Sequence, residues 1–402
     1  MTARHPHPSV FMFLIVPFGV MGGFLSVSVA YLLSKAGLSV EQVAGLVALG
    51  LLPHTWKFLW APIADTTLSR RRWYVIACML TSIGIFATGV LPAKASSLPL
   101  LSVIVLVSNL ASTFLGMAVE SLMAYGTPEN EKGRAGGWFQ AGNLGGGGLG
   151  GGLGLFLAQR LPEPWMSGAV VGGLCLLCMI ALFFISEPES SHRQERILDS
   201  FKFVGKDLWG VARSRIGFLA LFLCFLPLGS GAASGLWSAV AKDWSASADT
   251  VALVTGLLAG IVSAVGCLAG GWICDRMDRK NAYVAYGILQ ALCAVAMAVA
   301  PRTEMNFIIF STVYAFITGL TYAGFSAFVL EAMGMGAAAT KYNVFASLSN
   351  MPIMYMTNID GWAHTRYGPS GMLFVEAIAG AIGLVLFIGI MLAMPKRTAA
   401  TA

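Results

Sequence analysis

Apolar residues run along this chain in blocks of about twenty, separated by short polar stretches. A helix needs about 20 consecutive apolar residues to cross a hydrocarbon core of ~30 Å. Windows of that length predict twelve spans, at roughly residues 10–33, 40–62, 73–92, 98–124, 135–159, 166–186, 216–240, 250–273, 281–300, 305–332, 342–364 and 370–394. The first block is longer than the core of a secretory signal, and no small-residue cleavage site follows it, so it is expected to stay as the first span. One polar stretch stands out by its length, Glu187 to Arg215. Within it Ile197, Phe201, Val204, Leu208 and Val211 recur at spacings of four and three, one face of a helix, while Lys202 and Lys206 charge the remainder. That pattern predicts an interfacial helix on the inner leaflet, serving either as a plain tether or as a regulatory element.

Composition agrees with the pattern. Of 402 residues, 57% are hydrophobic and 11% charged, whereas soluble domains carry about 25% charged residues. Too few polar side chains exist to cover a water-facing surface. Intrinsic disorder requires the opposite balance, and the 47 glycines cluster locally without a three-residue period, which excludes a collagen-like chain. The net charge of +6 is unevenly placed. Eighteen of the 25 Lys and Arg residues fall on the side that holds both termini and the middle stretch, six fall on the other, and Lys57 lies inside a span. The positive-inside rule then assigns both termini and the middle stretch to the cytoplasm. No continuous basic face with interleaved aromatics exists, so no nucleic-acid partner is expected. All seven cysteines sit in apolar blocks; Cys175 and Cys178 form a C-x-x-C without polar neighbours, read as packing rather than as a zinc or redox site.

The two halves repeat each other. Asp65 and Asp275, each ending a span and followed by a basic cluster (Arg70, Arg71, Arg72; Arg276, Arg279, Lys280), stand 210 positions apart. Glu120 and Glu331 are 211 apart, and Lys132 and Lys341 are 209 apart. Three polar landmarks at one offset divide the chain into a first six-helix bundle at residues 1–186, a linker at 187–215 and a second bundle at 216–402. This is the parallel-repeat plan of the major facilitator transporters, and the acidic-then-basic element after the second and eighth spans resembles that superfamily's loop signature. Asp278 stands at the signature's later glycine in the second copy, and the first copy has Ala61 and a longer spacing. The element is read either as a latch, with Asp65, Asp275 and Glu331 as carboxylates and the arginines as their partners, or as charge that only sets topology.

A narrower resemblance lies in Lys57-Phe58-Leu59-Trp60-Ala61-Pro62-x-x-Asp65. It is similar to the signature of the muropeptide permease (AmpG-like) and acetyl-CoA transporter family within the major facilitators. Agreement continues at Gly37-Leu38-Ser39, Gly45, Pro128 to Gly136, Glu187-Pro188-Glu189 and Ser347 to Asn350. Muropeptide permeases often carry more than twelve spans, which this chain does not. The resemblance implies an all-α polytopic membrane protein of two pseudo-symmetric bundles. It also implies import of a sizeable polar or anionic solute, muropeptide-like, across a bacterial inner membrane.

Ionisable residues at a helix centre cost roughly 2.5–3.5 kcal/mol on insertion scales, so each calls for a partner or a role. Lys57 and Glu120 each lie eight residues before their cytoplasmic helix ends, about 12 Å deep at 1.5 Å per residue. Equal depth predicts an ion pair. It is either a proton- and substrate-responsive pair facing the central cavity or a permanent packing pair. His54, one turn from Lys57, is a proton relay or a packing residue. Glu331 is expected to meet Arg276 or Arg279, and Asp360 to meet Arg366, whereas Glu376 in the last span has no evident partner. The glycine-rich fifth span, with Gly145 to Gly148 and Gly150 to Gly152, is expected to approach Gly256, Gly260 and Ala264 of the eighth closely. Gln140, Asn143 and Asn350 are candidate substrate contacts or interhelical hydrogen bonds.

The sequence lacks a G-x-x-x-x-G-K-[ST] phosphate loop and any credible nucleophile–base or metal constellation. No cofactor or metal is expected. The intramembrane carboxylates make protons the expected coupling ion of a monomeric secondary transporter in a lipid bilayer. A siderophore importer or, less economically, a drug or metabolite exporter would share this plan. A membrane-embedded sensor or enzyme is the alternative of another class, against which the short loops argue.

Overall fold

The structure is a computed structural model of the chain. It describes residues 7–128, 132–185, 213–333 and 344–393, together with Lys202, Gly205, Lys206, Trp209 and Gly210 of the middle stretch. Among these residues the architecture is all helical. Eight helices are long and apolar enough to cross a membrane, and one of them, of 50 residues, carries two spans. Those two, the eleventh and twelfth, form a single helical run, Asn350–Ala393, which turns at Gly368 (φ 71°) just before Pro369. Three further spans, the second, fifth and seventh, fall short of that criterion because prolines, glycines or Lys57 interrupt them. Twelve spans result, as expected. The large apolar side chains that remain exposed, such as Phe183, Leu268 and Val385, belong to spans and face hydrocarbon rather than water.

Helix starts follow ordinary capping chemistry. Ser39 and Gln42 form a capping box at Val40–Thr55, and Ser69, Ser214 and Asp278 cap the third, seventh and ninth spans. Each cap supplies an acceptor to an amide that has no partner within the helix.

The fifth span shows why it needs so many glycines. Gly142, Gly146 and Gly150 lie so close to the carbonyls of Met12, Val16 and Val20 that a methyl group on any of them would collide with first-span backbone. Gly148 and Gly152 face the other way. A Cβ on Gly256 of the eighth span would sit 2.5 Å from the Gly152 Cα, and one on Gly260 would sit 3.0 Å from the Leu144 carbonyl. The expected approach to the eighth span is present. The larger glycine face nevertheless packs on the first span, because residues two apart on a helix point to different neighbours.

The two halves join at the end opposite the chain start, here the far end. Ser34 Oγ donates to the Ala239 carbonyl at 2.6 Å. Gly361 of the eleventh span sits against Ala44 and Glu41 of the second. Arg160 makes two hydrogen bonds to Asp249, at 2.9 and 3.2 Å. Within the second bundle at the same end, a Glu304 oxygen accepts from the Ser247 amide at 2.9 Å.

The seventh span, expected as one helix over 216–240, is broken. Helix Arg215–Leu223 stops, and helical turns resume only at Ala232–Leu236. Pro227 has no amide to give, and Gly229 (φ 66°) and Gly231 (φ 68°) hold left-handed backbone that side chains resist. The second span is broken too. Val40–Thr55 gives way to a tight turn at Lys57–Leu59 and a short helix at Ala61–Thr66, with Pro53 and Pro62 on either side.

Candidate functional site

The break in the second span sets Lys57 against the fourth span. Asn109, Thr113, Gly116 and Glu120 of the fourth span recur at four-, three- and four-residue spacing and so line one face. Each meets a group from the first or second span. Lys57 Nζ donates to Glu120 Oε1 at 3.1 Å. Trp60 Nε1 donates to Thr113 Oγ1 at 3.0 Å. His54 Nε2 lies 3.4 Å from Asn109 Oδ1, with its ring edge-on to Phe18 at 5.2 Å. Gly116 leaves room for the Phe18 ring. The lysine and glutamate side chains are 13% and 24% exposed, so the pair borders a water-reachable space without lying open. Glu120 Oε2 is buried and has no partner. One carboxylate oxygen therefore holds the ammonium while the other is available to a proton.

The other candidate contacts take local partners. Asn143 Nδ2 is 3.4 Å from Gln140 Oε1 on its own helix. Asn350 Nδ2 donates to the Ala346 carbonyl at 2.9 Å. Their amide groups are thus neither bridges between spans nor buried, and Gln140 is exposed.

Several of the expected latch groups lie among the described residues. Arg276 donates to the Trp272 carbonyl at 3.0 Å and stacks 3.8 Å from that indole, so its own helix occupies it. Arg70 stacks over Tyr125 at 4.5 Å, Arg71 donates to the Leu182 carbonyl at 3.1 Å, and Arg72 and Asp275 are exposed. Arg279 opens the ninth span. The side chains of Asp65 and Glu331 lie outside the described residues, as do the apolar face of the middle stretch and the Glu187–Glu189 segment.

Asp360 does not meet Arg366. The arginine is exposed, 5.2 Å from the Trp362 ring, whereas Asp360 is 0% exposed with both oxygens unpartnered. Six residues along the helix, about 1.7 turns at 3.6 residues per turn, rotate the two side chains onto different faces, Asp360 into the bundle and Arg366 out of it. Glu376, for which the sequence offered no partner, accepts from the Tyr314 hydroxyl and from the Ala233 amide.

The broken seventh span makes a second polar locus that sequence reasoning missed. Backbone without helical partners survives at membrane depth only where protein groups satisfy it. Here the Leu228 carbonyl accepts from Tyr283 Oη at 2.7 Å and the Phe225 carbonyl from Tyr355 Oη at 2.8 Å. A cavity of about 40 Å³ opens beside the break, lined among others by Leu228, Gly229, Tyr283, Thr321 and Ser349. The signal was legible in Pro227-Leu228-Gly229-Ser230-Gly231, since interrupted apolar segments mark transporter binding sites.

With this geometry in hand, comparison with known proteins is informative. The sequence model of the Major Facilitator Superfamily matches residues 10–357. The anhydromuropeptide permease of Escherichia coli is 22% identical over 372 residues, 88% of this chain and 74% of that protein. A gallate transporter of Pseudomonas putida is 26% identical over 229 residues, 55% of this chain and 44% of that one. Among solved structures, a D-xylose–proton symporter superposes with a TM-score of 0.74 at 14% identity, covering 98% of this chain and 99% of that one. The nucleoside transporter NupG gives 0.72 at 13% identity, covering 95% and 98%.

Proposed function

Because the chain belongs to the major facilitator superfamily of transporters, we propose that it is a proton-coupled importer of a carboxylate-bearing solute, an anhydromuropeptide foremost. The proposal includes residence in a bacterial inner membrane as a monomer, with both termini in the cytoplasm. Residues 1–186 and 216–402 are the two bundles that rock, and 187–215 is the tether between them.

The observation that carries this reading is the Lys57–Glu120 contact, an ammonium and a carboxylate 3.1 Å apart inside the first bundle. A proton arriving at Glu120 removes the charge that holds Lys57, and the ammonium becomes a receptor for an anionic group on the solute. Release of the proton on the other side restores the pair and expels the solute. The cargoes named for two relatives, an anhydromuropeptide and gallate, both carry carboxylate, which suits such a receptor. The energy suffices. One charge crossing ~100 mV releases about 2.3 kcal/mol, roughly 50-fold accumulation at 1.4 kcal/mol per tenfold.

The test is uptake of a labelled anhydromuropeptide into proteoliposomes under an inward proton gradient. Saturable uptake that collapses when the gradient is dissipated and in Glu120→Gln is expected. No uptake by verified, oriented protein discards that cargo and puts ferric siderophores next.

A further inference from the structure

Deep in the second bundle lie two carboxyl groups that the Lys57–Glu120 mechanism does not use. Asp360 of the eleventh span is 0% exposed and Glu376 of the twelfth is 8% exposed. None of the ion pairs among the described residues includes either of them. Both Asp360 oxygens and Glu376 Oε2 are buried without a hydrogen-bond partner.

The surroundings are polar but supply no cation to them. From the tenth span, Tyr314 donates to Glu376 and lies within electrostatic reach of Asp360. From the ninth, Cys293 lies near Glu376, and Gln290 donates its Nε2 to Thr318 at 3.3 Å. From the seventh, the Ala233 amide reaches Glu376 Oε1 at 3.5 Å. Far-end ionisable groups have other engagements. His364 sits 2.7 Å from Asp243, and Arg302 donates to Ser370 at 2.5 Å and stacks 4.1 Å from Trp244. Glu41 of the second span, where it packs on the eleventh, is exposed.

Two carboxylates in reach of each other, buried and without cations, cannot both be charged, because each adds to the other's desolvation cost. A second observation shows where the proton enters. Gln290 is 4% exposed, its Oε1 is buried and unpartnered, and it lines a small cavity of about 10 Å³, room for about one water, together with Glu376, Gly229 and Ser230. An acceptor and a carboxyl oxygen, both lacking partners, thus border one space beside the broken segment of the seventh span.

We propose that Asp360 and Glu376, linked by charge rather than by a mutual hydrogen bond, form a second proton-binding site, in the second bundle, which governs the break in the seventh span. The proton adds to Glu376 Oε2 from the cavity and leaves by the same route; no other bond is made or broken. The connection to the break is the hydrogen bond from the Ala233 amide, at the point where helical turns resume after Gly231. Proton loss strengthens that bond, since a charged acceptor binds an amide about twice as strongly as a neutral one. Proton loss thus tightens the resumed helical turns onto Glu376, and proton gain loosens them.

This inference rests on the proton-coupled reading above, and its test separates the two. Infrared difference spectra of the purified protein in lipid nanodiscs, taken across a pH titration without any solute, report protonated carboxyl groups through a carbonyl stretch that shifts in D2O. A buried carboxyl band that titrates in the wild type and in Glu120→Gln, and is lost in Glu376→Gln, is expected. Asp360→Asn should shift it. The second arm uses labelled anhydromuropeptide. Glu376→Gln and Asp360→Asn should keep solute exchange, while gradient-driven accumulation falls by roughly the 50-fold that one proton supplies, leaving what the Glu120 site drives. If anhydromuropeptide proves not to be a substrate, the infrared arm still decides. A spectrum with no such band, or a band unchanged in both variants, overturns the site. So does wild-type accumulation in the Glu376→Gln, Asp360→Asn double variant, provided it elutes as a single species.

Discussion

At the scale of single residues, the first bundle's charges were legible because an ionisable side chain inside an apolar block is conspicuous. Equal depth placed Lys57 and Glu120 together, and they meet at 3.1 Å. The same reasoning fails for Asp360 and Glu376. Their partners, Tyr314 and the Ala233 amide, come from spans distant in sequence and from a helix break that a hydropathy window averages away. The first bundle's pair predicts a contrast between stability and transport. Removing one member of a part-buried pair strands the other charge, at a cost of up to about 3–5 kcal/mol for full burial and less here, where water reaches both groups. Lys57→Met and Glu120→Gln should therefore each lower the melting temperature in detergent, and the double variant should recover most of the loss. None of the three should accumulate solute. A double variant that transports like the wild type would reduce the pair to a packing device.

At the scale of elements, glycine spacing separates positions that neighbours crowd from positions that nothing touches. A Cβ on Gly146 would run into the Val16 carbonyl, backbone that cannot swing aside, whereas one on Gly145 meets nothing within 4 Å. Gly146→Ala should lower the melting temperature and impair transport. Gly145→Ala should be neutral, or stabilising by up to about 1 kcal/mol from helix propensity. Equal effects would mean that the first and fifth spans do not pack as described. The break in the seventh span makes a parallel case. Gly231 has φ 68°, and its Cβ would lie 3.2 Å from the Thr318 methyl group. Gly231→Ala should destabilise by about 1–2 kcal/mol, read as a lower melting temperature, while Gly271→Ala, in open space, should not. The sequence pointed to the fifth span's close approach. It could not say which neighbour takes the larger face, because that depends on how the first span lies across the bundle.

At the scale of the whole molecule, the repeat of polar landmarks near 210 residues anticipated two bundles. Which end is shut is a property of tertiary contacts alone. At the far end the halves are held together by apolar packing and by the exposed Arg160–Asp249 contact, whose pH dependence has a definite sign. The Arg160 hydrogen bonds hold the Asp249 carboxyl below its ordinary range. Within the second bundle, the Ser247 amide and then the Thr250 hydroxyl hold the Glu304 carboxyl below its own, steadying that bundle rather than the join. A carboxyl lowered by folding contributes above its unfolded value, about 3.9 for Asp and 4.3 for Glu, and that contribution is lost as pH falls through the lower folded value. The far end should therefore stay closed from neutral pH down to about 4 and loosen only below it. Ala239→Cys, buried where Ser34 reaches across, placed in a variant free of the seven native cysteines, provides the reporter. Its labelling by an impermeant maleimide should be slow at neutral pH. Because maleimide needs thiolate, acid-pulsed samples should be returned to neutral pH and labelled before the gate resets. The Arg160–Asp249 contact is solvent-exposed, so Arg160→Gln should raise neutral-pH labelling by no more than about five-fold and blunt the acid response. Labelling that instead rises steadily between pH 7 and 5 would place the titrating lock elsewhere than in the Arg160–Asp249 contact.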